Sequence, residues 1–299
     1  MLDALLRDLP GVSLGVLVDY RLPLAEAFLS AAKVRVFTVD RSNPLETSFC
    51  HALAWADAVW PIAPETGGIL ASLSRQVVLS GKKLLGSDVD AVALTADKYR
   101  TLEHLRRAGI DTVPCCHGLE FDFQFPPPWI VKPVDGVGCE GTFRTCRQPD
   151  RHDKLLVQPF IDGESLSLSA LFDCGKTVLL SVNRQRVEVL ENRLVLSGCE
   201  VNALSDDDGS LQNLCRRIAA AIPGLWGYAG VDLIRSEDGR LWVLEINPRL
   251  TLSYAGLSRA LGRSVAEMVV AMAAGDTELE RIAAWREGWK GRRVWVSAK

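Results

Sequence analysis

The sequence has no apolar run of the roughly 18 residues that a bilayer span requires, and its start, MLDALLRDLPGVSLGVLVDY, shows no basic segment ahead of an apolar core and a small-residue cleavage site. Both absences lead us to expect a cytoplasmic protein with no membrane partner. A zinc or disulfide framework is missing as well. Eight cysteines are present, but none are spaced Cys-x-x-Cys, Cys115 and Cys116 are adjacent, and the four histidines are scattered. Reduced structural thiols in a reducing cytosol are the expectation. Neither sign of charge dominates: 34 Lys and Arg against 37 Asp and Glu leave a net charge of −3, which argues against a general nucleic-acid partner. No internal repeat or low-complexity tract is visible.

What is present is a globular composition, 48% hydrophobic and 24% charged over 299 residues, enough chain for two or three domains. The first 90 residues alternate short β-branched runs with helical patterns. SLGVLVD, VRVFTVD, ADAVWPIAPE and KKLLGS read as extended, and PLAEAFLSAA, Leu45 to Ala54 and GGILASLSRQVVLS as helical, an alternation that implies βαβ units and a parallel sheet. Asp88 to Ala108 reads as one helix stopped by Gly109. The texture then changes to strands separated by turns: WIVKPV, GTFRT, and LLVQPFIDGESLSLSALFD as strand, loop and strand. An amphipathic helix SLQNLCRRIAAAI, a hairpin, a long C-terminal helix SRALGRSVAEMVVAMAAG and a terminal strand in GRRVWVSAK complete the pattern. The expected division is residues 1–90, 91–161 and 162–299.

The hairpin, VDLIRSEDGRLWVLEINPR, raises a chemical question. Asp-Gly between apolar runs is a strong turn signal, and a turn centred on Asp238 and Gly239 pairs residues whose numbers sum to 477 along the whole ladder. Asp232 then faces Glu245, two like charges roughly 5 Å apart at Cβ, which destabilises a sheet unless something neutralises them. The period of two brings Asn247 to the same face. Three oxygen-bearing groups suit a hard cation such as magnesium, held by carboxylates together with substrate phosphates. A solvent-facing polar stripe is the alternative for the hairpin taken alone.

Upstream, DGVGCEGTF carries Gly136, Gly138 and Gly141 between two strands, freeing the backbone to form an anion-binding nest. No Gly-Lys-Ser/Thr ends it, so it is not a Walker A loop, and a strand rather than a helix follows, so it is not a dinucleotide fingerprint. A plain flexible turn is its simplest reading. Lys132 enters that loop from an apolar strand, where a long cation wants a phosphate. Lys98, in TADKYR, taken alone reads as an ordinary solvated helix face. Gln158 to Ile161 reads either as an extended connector, whose Pro159 carbonyl and Ile161 N–H could read an adenine edge while Glu164 accepts from ribose hydroxyls, or as a strand end with a capping glutamate.

Taken in order, the lysines, the glycine flap, the connector with its downstream Gly-Glu and the carboxylate hairpin ending Asn-Pro-Arg resemble the ATP-grasp superfamily from about Thr95 to Gly256. The preceding region is similar to the usual pre-ATP-grasp domain. The resemblance implies an α/β ATP-grasp fold with an N-terminal parallel-sheet domain and two α+β lobes enclosing the nucleotide. It further implies that Lys98 and Lys132 hold ATP phosphates, that Gly136 to Gly141 close over them, and that Gln158, Pro159, Phe160 and Ile161 form the adenine hinge. Glu164 becomes the ribose ligand, Asp232, Glu245 and Asn247 the site of two Mg2+ ions, with Mn2+ as a substitute, and Arg249 the cation that steadies the phosphoryl group, with Lys132 beside it in catalysis. Gln158 stands where many members have glutamate, and Gly230 where D-alanine ligases carry arginine, which makes a dipeptide ligase of that subgroup less expected.

Several strings, among them WPIAPETGGILASL, TADKYRTLEHLRRAGIDTVP, VNRQRVE and LEINPRLTLSYAGL, resemble a subgroup of ATP-grasp ligases that join glutamate to tyramine in methanofuran-type cofactor synthesis, linked to C1 metabolism. That implies small-molecule acid and amine substrates and an acylphosphate intermediate. Asn183, Arg184 and Gln185 are candidates to face the acyl donor or the γ-phosphate, or else lie on a surface strand edge. Glu65 is a candidate for recognising an amine in the cleft, or else a helix-terminal acid meeting the dipole. Cys139, inside the flap, is either a redox-sensitive thiol or simply a small tolerated side chain. Ligation of another amino acid or peptide, a regulatory ATP sensor without phosphoryl transfer, and a decayed scaffold remain as competing functions; the intact acids and Arg249 speak against the last.

Overall fold

The computed structural model describes residues 1–22, 34–117, 125–149 and 152–298. The helix expected in PLAEAFLSAA and most of the stretch FDFQF fall outside them. After a short N-terminal helix α1 (Leu2–Arg7), strands β1 (Leu14–Asp19) and β2 (Val34–Val39) pair in parallel. Helix α2 (Leu45–Trp55) follows, then β3 (Ala58–Val59), helix α3 (Ile69–Leu79) and β4 (Lys83–Leu84), with β3 and β4 again parallel. The expected parallel sheet is therefore present as two separate parallel pairs among the described residues. Phe49, Leu53 and Val77 bury their side chains between the two.

The helix read as continuous from Asp88 is two, α4 (Val89–Thr95) and α5 (Lys98–Arg107). Asp97 breaks it: its backbone is extended and its carboxylate accepts from the Arg100 N–H at 3.0 Å, capping the second helix. That break makes Lys98 the first residue of α5, where its N–H reaches the Val134 carbonyl at 3.0 Å.

A single large sheet forms the rest. Strands β5 (Cys116–His117), β6 (Trp129–Pro133), β7 (Phe143–Thr145) and β8 (Leu155–Pro159) lie at one end. Strands β9 (Gly163–Asp173), β10 (Lys176–Leu190) and β11 (Arg193–Leu204) form its long centre, and after helix α6 (Ser210–Ala221) strands β12 (Gly227–Ser236) and β13 (Leu241–Asn247) form the other end. The order is β13-β12-β9-β10-β11-β7-β6-β8-β5. The two ends approach each other, because Thr112 bridges Val243 and the Val113 N–H meets the Val243 carbonyl at 3.1 Å.

The C-terminal region departs from the single long helix expected. It contains α7 (Tyr254–Leu261) and α8 (Val265–Ala274), parted by Gly262 in the left-handed conformation (φ +69°) and the Ser264 cap, then α9 (Leu279–Glu287), which has no counterpart in the expectation. Strand β14 (Val294–Ser297) is found as expected and pairs with β11. One core packs α6 against Leu166, Leu168, Phe172 and Val231; a second packs α7 and α8 against Leu171, Leu180 and Val201. Burying each such side chain contributes about 1.5–3 kcal/mol. Among the described residues no helix is long and apolar enough to cross a membrane.

Candidate active site

A cavity of about 650 Å³ opens over one face of the large sheet, within the size range of nucleotide and small-ligand sites. Strand alternation decides which side chains reach it. In β6, Ile130 and Lys132 face the cavity while Trp129 and Val131 pack with Val157 behind. In β9, Ser165 and Ser167 face it while Leu166 and Leu168 enter the core. The run SLSLSA carries that pattern openly, and Ser165 and Ser167 were the readable residues missing from the expected set.

The carboxylate hairpin has the expected pairing for a different reason. Asp232 does face Glu245, but the numbers sum to 477 only from Gly230 to Asp232; from Leu233 to Arg235 they sum to 476. The Ser236 N–H bonds the Arg240 carbonyl at 3.0 Å across a three-residue loop with Gly239 at φ +81°, not a two-residue turn. A bulge between Asp232 and Leu233 on one strand and Val243 and Glu245 on the other restores the register and leaves Leu244 unpaired. The bulge re-aims the strand: Leu244 and Glu245 both line the cavity, while Val243 and Ile246 stay in the core.

The acids are closely attended. Asn247 Nδ2 donates to Asp232 Oδ2 at 3.2 Å and to Glu245 Oε1 at 3.4 Å, and Gln185 Nε2 donates to Asp232 Oδ1 at 3.1 Å. Lys98 Nζ lies 3.1 Å from Glu245 Oε2 and also donates to the Gly136 carbonyl. Lys98 is thus buried and tied to the flap stem, not a solvated helix-face residue. Burial pushes Asp232 well above the ordinary carboxylate range, and the Glu245 charge adds to the rise. Burial pushes Glu245 up too, but the Lys98 and Lys132 charges outweigh it and hold that carboxyl low. Burial also pushes the Lys132 ammonium down against the pull of Glu245. Of the pair, Glu245 ionises first, with the lysine cations beside it, and Asp232 holds its proton to higher pH.

These groups fit a magnesium ion. Among the described residues no three His, Cys, Asp or Glu side chains gather to hold a metal. Two carboxylates and an amide remain, all oxygen donors, and magnesium commonly completes such a set with water and phosphate. Asn247 would turn its amide over to present Oδ1, which now accepts from Arg249 at 3.3 Å.

The flap runs through Gly136, Val137, Gly138, Cys139 and Glu140, all at the cavity wall; Gly141 is not. Gly138, Cys139 and Gly141 all have positive φ, at 62°, 66° and 67°. Burial, then the Glu245 and Asp232 charges, push the Cys139 thiol up to about 11, which removes the basis for an activated, redox-sensitive thiol. All eight cysteines are free. Gln158, Pro159, Phe160 and Ile161 line the cavity opposite the acids, with Gln158 buried and its Nε2 donating to the Val113 carbonyl at 3.4 Å.

Besides Gly141, four expected residues do not reach the wall: Asn183, Glu164, Arg184 and Glu65. Glu164 lies on the opposite face of β9 from Ser165, ion-paired with Arg184 and Arg235, whose charges overcome the burial that would raise it and hold its carboxyl low. Arg184 shares that outer face and also meets Glu200 at 3.2 Å, while Gln185, one residue on, lines the cavity. Residues 183–185 lie in the middle of β10, and alternation separates Arg184 from Gln185. Glu65 is buried one residue beyond the wall formed by Ala63 and Pro64, and its Oε2 accepts from Arg249 Nε at 2.8 Å. Its Oε1 is buried with no hydrogen-bond partner among the described residues, an arrangement that costs roughly 1–3 kcal/mol. The next residues grip the flap stem: Thr66 Oγ1 donates to the Asp135 carbonyl at 2.7 Å, and the Gly67 N–H to Asp135 Oδ2 at 3.0 Å.

Beyond Arg249, a largely buried hydroxyl chain with no local sequence signature joins Thr251, Tyr228, Ser253, Ser169 and Asn183. Thr251 packs over Gly230, where an added Cβ would come within 2.6 Å of its methyl group. An arginine at that position has no room.

A nucleotide-sized cavity on one sheet face, walled by a glycine flap, two lysines with Lys98 against Glu245, and opposed acids ending in Asn-Pro-Arg, is the arrangement of an ATP-grasp protein. The chain belongs to the ATP-grasp family: residues 95–253 match the ATP-grasp domain and residues 12–92 the pre ATP-grasp 3 domain. It is 28% identical over 274 residues to the tyramine–L-glutamate ligase of Methanocaldococcus jannaschii, covering 90% of this chain and 80% of that protein. With the enzyme of that name from Methanocaldococcus fervens it shares 32% over 215 residues, 72% of this chain and 65% of that protein. The fold is also similar to the biotin carboxylase domain of Hydrogenobacter thermophilus 2-oxoglutarate carboxylase, solved with MgADP, at a TM-score of 0.72 and 19% identity over 91% of this chain and 66% of that one.

Proposed function

We propose that this ATP-grasp ligase joins glutamate to tyramine or a related aromatic amine, through an acylphosphate, in the assembly of a furan-type C1-carrier cofactor. The observation that carries the substrate reading is the similarity to tyramine–L-glutamate ligase across 90% of the chain. The cavity is compatible with it. Val187, Val189, Leu194 and Leu196 give one part of the wall an apolar surface suited to an aromatic ring, and Ser165, Ser167 and Gln185 supply polar groups near the acids.

In this reading Lys98 and Lys132 hold the phosphates, and Asp232, Glu245 and Asn247 hold two magnesium ions. A bound divalent cation supplies charge neutralisation on the transferring phosphoryl oxygens. A carboxylate is a poor electrophile; phosphorylation gives it a leaving group that the amine displaces. Arg249, anchored by Glu65, the Leu250 carbonyl and Asn247, is placed to steady the charge that builds during both steps. The flap excludes water and so protects the acylphosphate. Gln158 to Ile161 read the adenine, and Arg184 and Glu164 act from the outer face of the sheet by bracing β9 against β10 and β12. ADP release measured with glutamate and tyramine, each omitted in turn, tests the assignment. Release that needs both supports it, and turnover indifferent to either one contradicts it.

A further inference from the structure

The Glu65 carboxylate has one oxygen on Arg249 and, among the described residues, no partner for the other. It sits 5% exposed, in a different domain from the rest of the catalytic groups, directly after the Ile62–Pro64 stretch that walls the cavity. Buried carboxylate oxygens are normally paired, and one left open beside a ligand cavity is an unfilled acceptor. Its chemistry is specific: an anionic oxygen beside an already engaged guanidinium accepts a hydrogen-bond donor, and a cationic donor best.

We infer that Glu65 Oε1 is the docking point for the protonated amine of the acceptor substrate, while Oε2 keeps Arg249 in place for the phosphoryl group. This rests on the reading of the chain as a carboxylate–amine ligase and adds the residue that selects, at docking, an ammonium over a neutral group of the same shape; the nitrogen attacks only after losing one proton, which leaves with the released phosphate. The geometry gives the selection a second consequence. Oε1 is closed off from solvent, and the Glu65 carboxylate adjoins the cavity through its chain neighbour Pro64 and its partner Arg249, both of which line the wall. Thr66 and Gly67, the next two residues, hold Asp135 at the root of the flap. Acceptor docking therefore acts on the flap and on Arg249 through one three-residue segment. Glu65 is a binding and positioning residue, and no proton transfer is assigned to it.

The test compares wild type with Glu65→Gln, which keeps an oxygen for Arg249 Nε and removes the charge; a melting curve close to wild type shows the variant folded. Calorimetry in the presence of a non-hydrolysable ATP analogue measures binding of tyramine and of 4-ethylphenol, the same ring without the ammonium. In parallel, hydroxamate formation from glutamate, ATP and hydroxylamine reads acylphosphate formation with a small neutral nucleophile. The expected result is a preference of at least tenfold for tyramine in wild type, its loss in Glu65→Gln, and a loss of tyramine turnover in the variant at least tenfold larger than its loss of hydroxamate formation. A preference that survives the substitution, no preference in wild type, or a loss of hydroxamate formation matching the loss of tyramine turnover would each overturn the proposal, the last by reducing Glu65 to an anchor for Arg249. Failure of the substrate reading shows separately, as wild type that binds tyramine over 4-ethylphenol yet releases no ADP with glutamate and tyramine.

Discussion

Lys98 Nζ stands 3.1 Å from Glu245 Oε2, holding the flap-side carbonyl of Gly136 at the same time. The lysine therefore occupies ground where a metal-bound phosphate is expected, and it links the flap to the metal ligand before any nucleotide arrives. Replacing Lys98 with Met is expected to raise the KM for ATP and to lower kcat by about 10²-fold, the usual scale for losing one preorganised charge at a transferring group. Lys132→Met is expected to do the same. Steady-state kinetics with varied ATP check both; a variant within twofold of wild type would remove that lysine from the phosphate site.

The opposed acids make a double prediction. Asp232→Asn and Glu245→Gln are each expected to abolish magnesium-dependent ATP turnover. Asp232→Asn is also expected to raise the melting temperature in metal-free buffer, because it removes a buried carboxyl that ionises against a like charge. Near-normal turnover in either variant contradicts the metal assignment.

The same pair sets a pH dependence. The folded Asp232 carboxyl titrates above its ordinary 3.8, so the metal-free fold binds more protons than the unfolded chain, and its stability falls as pH rises from the ordinary carboxylate range toward neutrality. Magnesium displaces that shared proton, so apparent magnesium affinity is expected to strengthen over the same interval. Magnesium titrations of turnover between pH 5.5 and 8 measure it, and an affinity flat across that range would speak against a raised Asp232.

Gln185 and Arg184 are neighbours with opposite roles. Gln185 Nε2 lies 3.1 Å from Asp232, so Gln185→Ala is expected to weaken metal-dependent turnover by about 10–100-fold, as for other groups that orient a ligand. Arg184→Ala, on the outer face, is expected to leave kcat unchanged and to cost at most about 1 kcal/mol, since its pairs are partly exposed. Kinetics and urea unfolding of the two variants separate the faces.

Gly230→Ala is expected to cost about 1–3 kcal/mol through overpacking against Thr251, and Gly230→Arg to fail to fold. Urea unfolding and expression of the two proteins test this.

Much of the site was readable because its chemistry travels in short strings. DGVGCEGTF and VDLIRSEDGRLWVLEINPR place flap and acids at fixed offsets, and apart from Gly141 the structure brings the flap glycines and the acids to the cavity. What was not readable depends on alternation and packing between distant strands. Nothing local tells Arg184 from Gln185, or Glu164 from Ser165, until the face of each strand is known. The hairpin is a sharper case: a three-residue loop and a one-residue bulge offset each other, so the Asp232–Glu245 pairing is as expected although the ladder beyond it is not. The helix breaks at Asp97 and Gly262 carried their signals in a capping acid and a glycine, but apolar periodicity on either side masked them.

Amide formation driven by ATP at this site is read out by a coupled assay of ADP release with glutamate and tyramine, each omitted in turn, with mass spectrometry of the product. ADP and a glutamyl–tyramine amide are expected in equal amounts, and only when both substrates and magnesium are present. ADP release unaffected by omitting either substrate, or tight ATP binding with no ADP formed across a broad set of acids and amines, would contradict it.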